Sequence, residues 1–173
     1  DSDESRGLGD VYKRQKWRDR IITSTDPIFD TLSTPGLAQM ANAAAGSKTL
    51  RKAGEALFGI HQDAPLPTFE AKALSKRIPA VSGDQGTAPT ATDKTTGKVA
   101  IYVTCYGDHN EPKMVEDLIA VLNHNNIATK VLQDAKCCGM PKLELGDLPK
   151  VEKMKDANLP VFLQAIADGY DII

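Results

Sequence analysis

The most regular hydrophobic pattern lies in the C-terminal part of the chain. Val99–Thr104 is a β-branched, nearly continuous apolar run, which is typical of a strand buried on both faces of a parallel sheet. Pro112–Asn123 then carries apolar side chains at helical spacing, and Thr129–Leu132 is a second short apolar run. The pattern therefore predicts a strand, a helix and a second strand in succession.

The same alternation continues to the last residue of the sequence. Val151–Ala167 has a helical pattern in which Pro160 is a candidate break, and Tyr170–Ile173 begins a third strand. Strands that alternate with helices predict a parallel sheet with right-handed crossovers. We therefore expect an α/β fold, a Rossmann-like β-α-β-α-β arrangement from Lys98 to Ile173.

The N-terminal part of the chain has a different, helical pattern over residues 16–60. Thr25-Asp26-Pro27 is a helix start signal, because a capping side chain precedes a proline in the first turn. Ser47 is a candidate cap for a further helix. The apolar faces of these helices are narrow, so we expect a helical connector that packs on another part of the protein.

Two segments are predicted to lie outside the regular elements. Residues 61–97 form an extended linker in which Ala80–Gly97 has almost no large apolar side chain, so a domain boundary is expected there. Residues 1–15 contain Arg6–Gln15, RGLGDVYKRQ, which resembles translated adaptor sequence. We treat that stretch as an artefact or a disordered tail and exclude it from the fold prediction.

Composition and charge exclude several classes of function. The net charge is −2 and aromatic residues make up 5% of the sequence, so the chain has neither the field nor the stacking surface of a nucleic-acid-binding protein. No apolar run approaches the roughly 20 residues that a membrane span needs, and residues 1–20 are not a signal peptide. We expect a cytoplasmic location.

The three cysteines are the candidate functional residues. Cys105 follows the first predicted strand, and Cys137 and Cys138 follow the second. The carboxyl ends of parallel strands meet at one edge of a sheet, where ligands gather. Soft thiolates select zinc, copper(I) or iron–sulfur clusters. Gly139 would form a tight turn beside such a cofactor, and the N–H groups of Cys138 and Gly139 would donate to the sulfides of a cluster.

These residues resemble a known family. The string KVAIYVTCYGDHNEPKMVEDLIAVLNHNNIATKVLQDAKCCGMPKLELGDL is similar to the cysteine-rich domain of heterodisulfide reductase-related iron–sulfur proteins. Its Cys-Cys-Gly-Met-Pro run is most similar to the branch with the anaerobic glycerol-3-phosphate dehydrogenase C subunit and the glycolate oxidase iron–sulfur subunit. GIHQDAPLP (59–67) resembles the connector to an upstream ferredoxin-like domain in that family.

The resemblance implies a function and a set of partners. Cys105, Cys137 and Cys138 would bind an iron–sulfur cluster, [4Fe–4S] or related, in a non-catalytic electron-transfer subunit of an oxidoreductase. A flavoprotein dehydrogenase subunit would supply electrons, and a quinone or another acceptor would receive them. The partners would bring the protein to the inner face of the cell membrane. The family's closing Cys-x-x-Cys is expected beyond Ile173, so this chain is interpreted as a fragment with an incomplete ligand set.

Two alternatives remain open from the residues themselves. A zinc-stabilised binding module would combine the three cysteines with His109 or His124 in a tetrahedral site. A dithiol redox protein would use Cys137 and Cys138 directly.

Overall fold

The structure, a computed structural model, describes residues 17–78, 81–82 and 91–173. The predicted artefact or tail at residues 1–15 lies outside the described residues, and so does a part of the predicted linker. The helices of the N-terminal part are α1 (Trp17–Ile22), α2 (Thr25–Leu32), α3 (Leu37–Gly46), α4 (Lys48–Phe58) and a 3₁₀ helix (Leu74–Lys76).

The C-terminal part alternates strands and helices, as its hydrophobic pattern predicts. Its elements, together with a short strand that precedes them, are β1 (Val81–Ser82), β2 (Lys98–Ile101), α5 (Cys105–His109), α6 (Pro112–His124), β3 (Ala128–Val131), α7 (Met140–Glu144), α8 (Leu148–Ala167) and β4 (Asp171–Ile172).

Strand β2 occupies the middle of the parallel part of the sheet. The strand order is β1-β3-β2-β4, and β2 is parallel to both β3 and β4. In the register of β2 and β3, Val99 lies opposite Thr129 and Ile101 opposite Val131. The predicted α/β fold class is confirmed. Strand β1 adds an antiparallel edge that the sequence pattern does not predict, since it falls inside the segment predicted as a linker.

Successive residues of β2 point to opposite faces of the sheet and enter two different cores. Ile101 packs on one face with Val115 and Ile119 of α6. Ala100 packs on the other face with Leu132 and with Ala165 of α8. The sheet is thus covered on both sides, which explains why the strand sequence is apolar nearly throughout.

Helix α8 continues through the proline at which the sequence predicted a candidate break. It spans Leu148–Ala167 and includes Pro160, which is exposed. Asn158 and Ala165 on either side of the proline are buried, so both halves of the helix are held against the rest of the domain. Asp147 caps the start of the helix by accepting a hydrogen bond from the Lys150 N–H at 3.4 Å.

Two elements of the N-terminal part, α2 and the 3₁₀ helix, pack against the α/β part. Helix α2 lies against α5, and Phe29 meets the His109 ring with centroids 5.9 Å apart. Leu74 of the 3₁₀ helix is fully buried in the core cluster that contains Ile101 and Val131.

Candidate functional site

The first cysteine stands just beyond the carboxyl end of the central strand. Strand β2 ends at Ile101, and Cys105 begins helix α5. The Thr104 side chain caps this helix by accepting a hydrogen bond from the Gly107 N–H at 3.4 Å. The strand and the cap together fix the backbone of Cys105, whose side chain is half-buried.

The Cys137-Cys138-Gly139 loop follows the neighbouring strand and is clamped by the long helix. Asn158 of α8 accepts a hydrogen bond from the Lys136 N–H at 2.6 Å. Its amide also donates to the carbonyl oxygens of Lys136 at 3.1 Å and Cys137 at 3.4 Å. This buried side chain therefore holds the backbone on the N-terminal side of the cysteine pair.

Gly139 forms the turn between the cysteine pair and α7. Its φ is +80°, a left-handed conformation that favours glycine. A β-carbon at this position would stand 3.7 Å from the Cα of Val151, so the loop passes close to α8. The Gly139 N–H donates to the Cys137 sulfur at 3.4 Å. The turn at Gly139 thus lies beside the Cys137 sulfur, and its role next to a cofactor stays a prediction.

The structure brings two of the three predicted sulfur atoms together. Cys105 and Cys137 line one cavity, and Cys137 is buried. The Cys105 thiol donates to the Cys137 thiolate, and this bond together with the Gly139 N–H outweighs burial and lowers the pKa of Cys137 to about 6. The same hydrogen bond, with burial, raises the pKa of Cys105. Cys138 is exposed, and all three cysteines are free thiols.

Tyr102 lies beside the same group of thiols. Its hydroxyl donates to the Lys136 carbonyl at 2.7 Å. Burial raises the pKa of Tyr102, and negative charge on Cys138, Cys137 and Cys105 raises it further. This tyrosine therefore remains a neutral hydrogen-bond donor next to the cysteines.

Helix α2 contributes a carboxylate to the cysteine site. The Thr25 Oγ1 lies 3.9 Å from the Cys137 Sγ. The buried Lys142 Nζ lies 3.1 Å from each oxygen of Asp26. Burial raises the pKa of Asp26, but its interactions with Cys137 and Lys142 outweigh burial and hold the pKa below its usual range. A partly buried ion pair thus stands at the edge of the thiol pair.

His109 is held by polar groups on both of its ring nitrogens. Its Nδ1 lies 2.9 Å from the Ser33 hydroxyl. Its Nε2 lies 3.4 Å from a carboxylate oxygen of Asp30 and 3.4 Å from one of Asp108. Both nitrogens are thus occupied, so a zinc site would have to displace these partners. His124 ends helix α6, which returns the chain to the opposite edge of the sheet from the cysteines.

A cavity of about 200 Å³ adjoins the cysteine pair. Its wall combines polar side chains from α2 and α5 with the segment that follows β3. The lining residues are Asp26, Asp30, Ser75, Val103, Cys105, Asp108, His109, Gln133, Ala135, Lys136 and Cys137.

The donor set agrees in kind with an iron–sulfur cluster. Thiolates are the ligands such clusters take, and N–H donors to sulfur tune their potential. Within residues 17–78, 81–82 and 91–173, however, no three histidine, cysteine or acidic side chains are arranged to hold a metal ion. Cys105 and Cys137 meet, whereas Cys138 is turned to the surface. The residues therefore fit a part of a thiolate shell, and the assignment of all three cysteines as ligands stays a prediction.

Sequence reasoning missed the polar residues that surround the thiols. It interpreted Asp26 as part of a helix start, although Ser24 occupies the cap position and Asp26 pairs with Lys142. These two residues are 116 positions apart, and no local pattern links them. One signal was available, because Lys142 directly follows the Cys-Cys-Gly-Met-Pro run.

The chain is similar to a family of known proteins and to two curated relatives. Residues 99–173 match the family model described as "Cysteine-rich domain", CCG. Two curated relatives carry the name of the C subunit of anaerobic glycerol-3-phosphate dehydrogenase, one from Escherichia coli strain K12 and one from Escherichia coli O157:H7. Each is 26% identical over 168 residues, which cover 92% of this chain and 40% of the relative.

The match is partial in length. The chain spans about 40% of the length of the curated relatives it matches. No solved structure matches it significantly. In the part of the chain that the structure describes, none of the helices combines the length and the apolar character that crossing a membrane requires. The resemblance predicted from the Cys-Cys-Gly sequence is confirmed over residues 99–173, which match the CCG cysteine-rich domain model.

Proposed function

We propose that this chain is part of an iron–sulfur electron-transfer subunit of an oxidoreductase. The observation that carries the proposal is that Cys105 and Cys137 line one cavity beyond the carboxyl ends of two adjacent parallel strands. The thiols come from segments that are distant in sequence, and a bound cofactor is the simplest reason to bring them together. The CCG family match and the similarity to a glycerol-3-phosphate dehydrogenase subunit support the same assignment.

In this proposal Cys105, Cys137 and Cys138 are ligands of one cluster, [4Fe–4S] or a related type. The cluster supplies one-electron transfer when it is bound. Gly139 shapes the turn and directs its N–H to the Cys137 sulfur. Cys138 would turn inward from its exposed position to join the other two thiolates. Ligands supplied by a Cys-x-x-Cys of the longer protein would complete the shell.

The partners follow from the name of the curated relatives. A relative named as a subunit of a dehydrogenase supports a flavoprotein partner that oxidises a small alcohol or hydroxyacid. Electrons would pass from the flavin to the cluster and then to a quinone or another acceptor. The protein would work in the cytoplasm at the inner face of the membrane, bound there through its partners.

The division of the chain is part of the same proposal. Residues 98–173 would be the cysteine-rich α/β domain, and residues 16–60 and 61–97 the helical connector and the linker. Residues 1–15 would be an artefact or a disordered tail.

Anaerobic purification of the full-length protein tests the function. The protein is expected to be brown, to lose its visible absorbance on reduction, and to contain iron and acid-labile sulfide in equal amounts. Cys105→Ser and Cys137→Ser are expected to lose most of the iron, because each removes a thiolate ligand. Ser75→Ala is a control that alters the cavity wall without removing a thiol.

Two results would contradict this function. A colourless protein with stoichiometric zinc would favour the zinc-stabilised module. A metal-free protein in which Cys137 and Cys138 cycle between dithiol and disulfide would favour the dithiol alternative.

A further inference from the structure

We propose that the charges of Asp26 and Lys142 set the reduction potential of the cluster, because they lie next to its Cys137 ligand. Asp26 is then a positioning residue for the Cys137 ligand, and Lys142 is its counter-charge. The inference rests on the proposed iron–sulfur function, but it concerns residues that neither the sequence pattern nor the family match assigns.

The first support is the arrangement of the pair around one sulfur atom. The Lys142 ammonium lies 3.1 Å from both Asp26 oxygens, and only 3% of the Lys142 side chain is exposed. The Thr25 hydroxyl lies 3.2 Å from an Asp26 oxygen and 3.9 Å from the Cys137 Sγ, and Asp26 and Cys137 line the same cavity. A lysine is buried to this degree only with a partner, so the carboxylate is fixed beside the sulfur.

The second support is the position of helix α2 between the two cysteine-bearing segments. Its N-terminal residues Thr25 and Asp26 contact the Cys137 loop and α7. Further along the helix, Phe29 and Asp30 contact His109 of α5, the helix that Cys105 begins. The helix thus closes the site from outside the CCG match, which begins at residue 99.

The electrostatic consequence has a definite sign. A ligated Cys137 is a thiolate and has no proton to donate, so the Asp26 carboxylate faces it as a like charge. Lys142 cancels most of this repulsion. Loss of the carboxylate would favour the reduced cluster, which carries one more negative charge, and loss of the ammonium would disfavour it. A merely structural pair would not produce opposite effects.

The test is the reduction potential of the full-length protein, measured by an anaerobic titration followed by electron paramagnetic resonance. Asp26→Asn is expected to favour reduction about three- to tenfold, and tenfold corresponds to about 59 mV for one electron. Lys142→Gln is expected to disfavour reduction by a similar factor. Asp26→Glu and Lys142→Arg retain the charges and are expected to stay close to the wild-type potential.

A second lysine–aspartate ion pair, whose lysine is more exposed, provides the control. Lys130 lies 2.9 Å from Asp168 at the far end of α8, away from the thiols. Asp168→Asn and Lys130→Gln change the net charge of the protein by the same amounts. They are expected to leave the potential unchanged.

The outcomes separate this inference from the function on which it rests. A wild-type protein without a cluster contradicts the proposed function itself. A cluster whose potential does not move, or moves in the same direction in Asp26→Asn and Lys142→Gln, overturns the proposed effect of the ion pair on the potential. If the Asp26→Asn variant binds no cluster, the Asp26→Glu variant is the test, and it must bind the cluster at the wild-type potential. Failure of both variants to bind a cluster also overturns the proposal.

Discussion

At the scale of single residues, the hydrogen bond between Cys105 and Cys137 makes the two thiols unequal. In metal-free protein the Cys105 thiol donates to the Cys137 sulfur, which lowers the pKa of Cys137 to about 6. Ultraviolet thiolate absorbance should therefore rise by one equivalent around that pH, well below the ordinary cysteine value of about 8.5. Cys105→Ala removes the donor and should move this step upward, whereas Cys138→Ser should leave it in place.

The same pair gives the metal-free protein a pH dependence of stability with two signs. The folded pKa of Cys137 lies below its unfolded value, so its contribution is lost as the pH falls from about 8.5 toward 6. The folded pKa of Cys105 lies above its unfolded value, so its contribution is lost as the pH rises above about 8.5. Chemical unfolding across this range should show the highest thiol-dependent stability near pH 8.5. A flat profile that matches the Cys105→Ala variant would contradict the pairing.

Gly139 gives a second prediction for a single residue. Its φ of +80° strains any residue with a β-carbon, so Gly139→Ala should lower the free energy of unfolding by about 1–2 kcal/mol. Gly54→Ala is a matched control with the opposite sign. Gly54 lies inside α4 with free space around it, so alanine should stabilise that helix by about 0.5–1 kcal/mol. Urea unfolding measures both, and equal effects of the two changes would rule out the conformational explanation.

At the scale of elements, the sequence predicted the strands and the longer helices well. The apolar residues of β2, such as Val99 and Ile101, follow the pattern of a buried strand, and those of α6 follow the helical pattern. Burial of the sheet on both faces follows from these patterns. The short helix at Cys105 and the strand at Val81 were not predicted, because each depends on contacts with distant segments. The sequence made Pro160 a candidate break, but tertiary packing of the residues on both sides of it keeps α8 continuous.

The clamp between α8 and the cysteine loop is the element-scale feature with the clearest test. Asn158→Ala removes three hydrogen bonds to the backbone of Lys136 and Cys137 and leaves buried polar groups unpaired. We expect a loss of about 1–3 kcal/mol in the free energy of unfolding. The exposed Gln164 on the same helix makes one hydrogen bond to Asp168, and Gln164→Ala should have little effect. Alanine is the best helix former, so helix propensity cannot explain a loss, and equal losses in the two variants would contradict the clamp.

At the scale of the whole molecule, the site depends on residues from outside the cysteine-rich segment. The sequence predicted that the N-terminal helices need a packing partner, because their apolar faces are narrow. It did not predict which face they meet, since Asp26 and Lys142, like Phe29 and His109, are joined only by the fold. The three cysteines could be found from their spacing, whereas the charges around them could not.

Leu74 tests whether this upstream region and the α/β part fold as one cooperative unit. The residue precedes the predicted domain boundary, yet it is fully buried against Ile101 and Val131. If the two parts unfold together, Leu74→Ala should lower the stability of the whole unit by about 3 kcal/mol, because a buried leucine leaves a cavity. Leu57→Ala is the control, since that side chain is 61% exposed and its truncation should cost little. Circular dichroism and the fluorescence of Trp17 should then report one shared transition that shifts in Leu74→Ala. Two separate transitions, with Leu74→Ala affecting only one, would instead place a true domain boundary between the connector and the sheet.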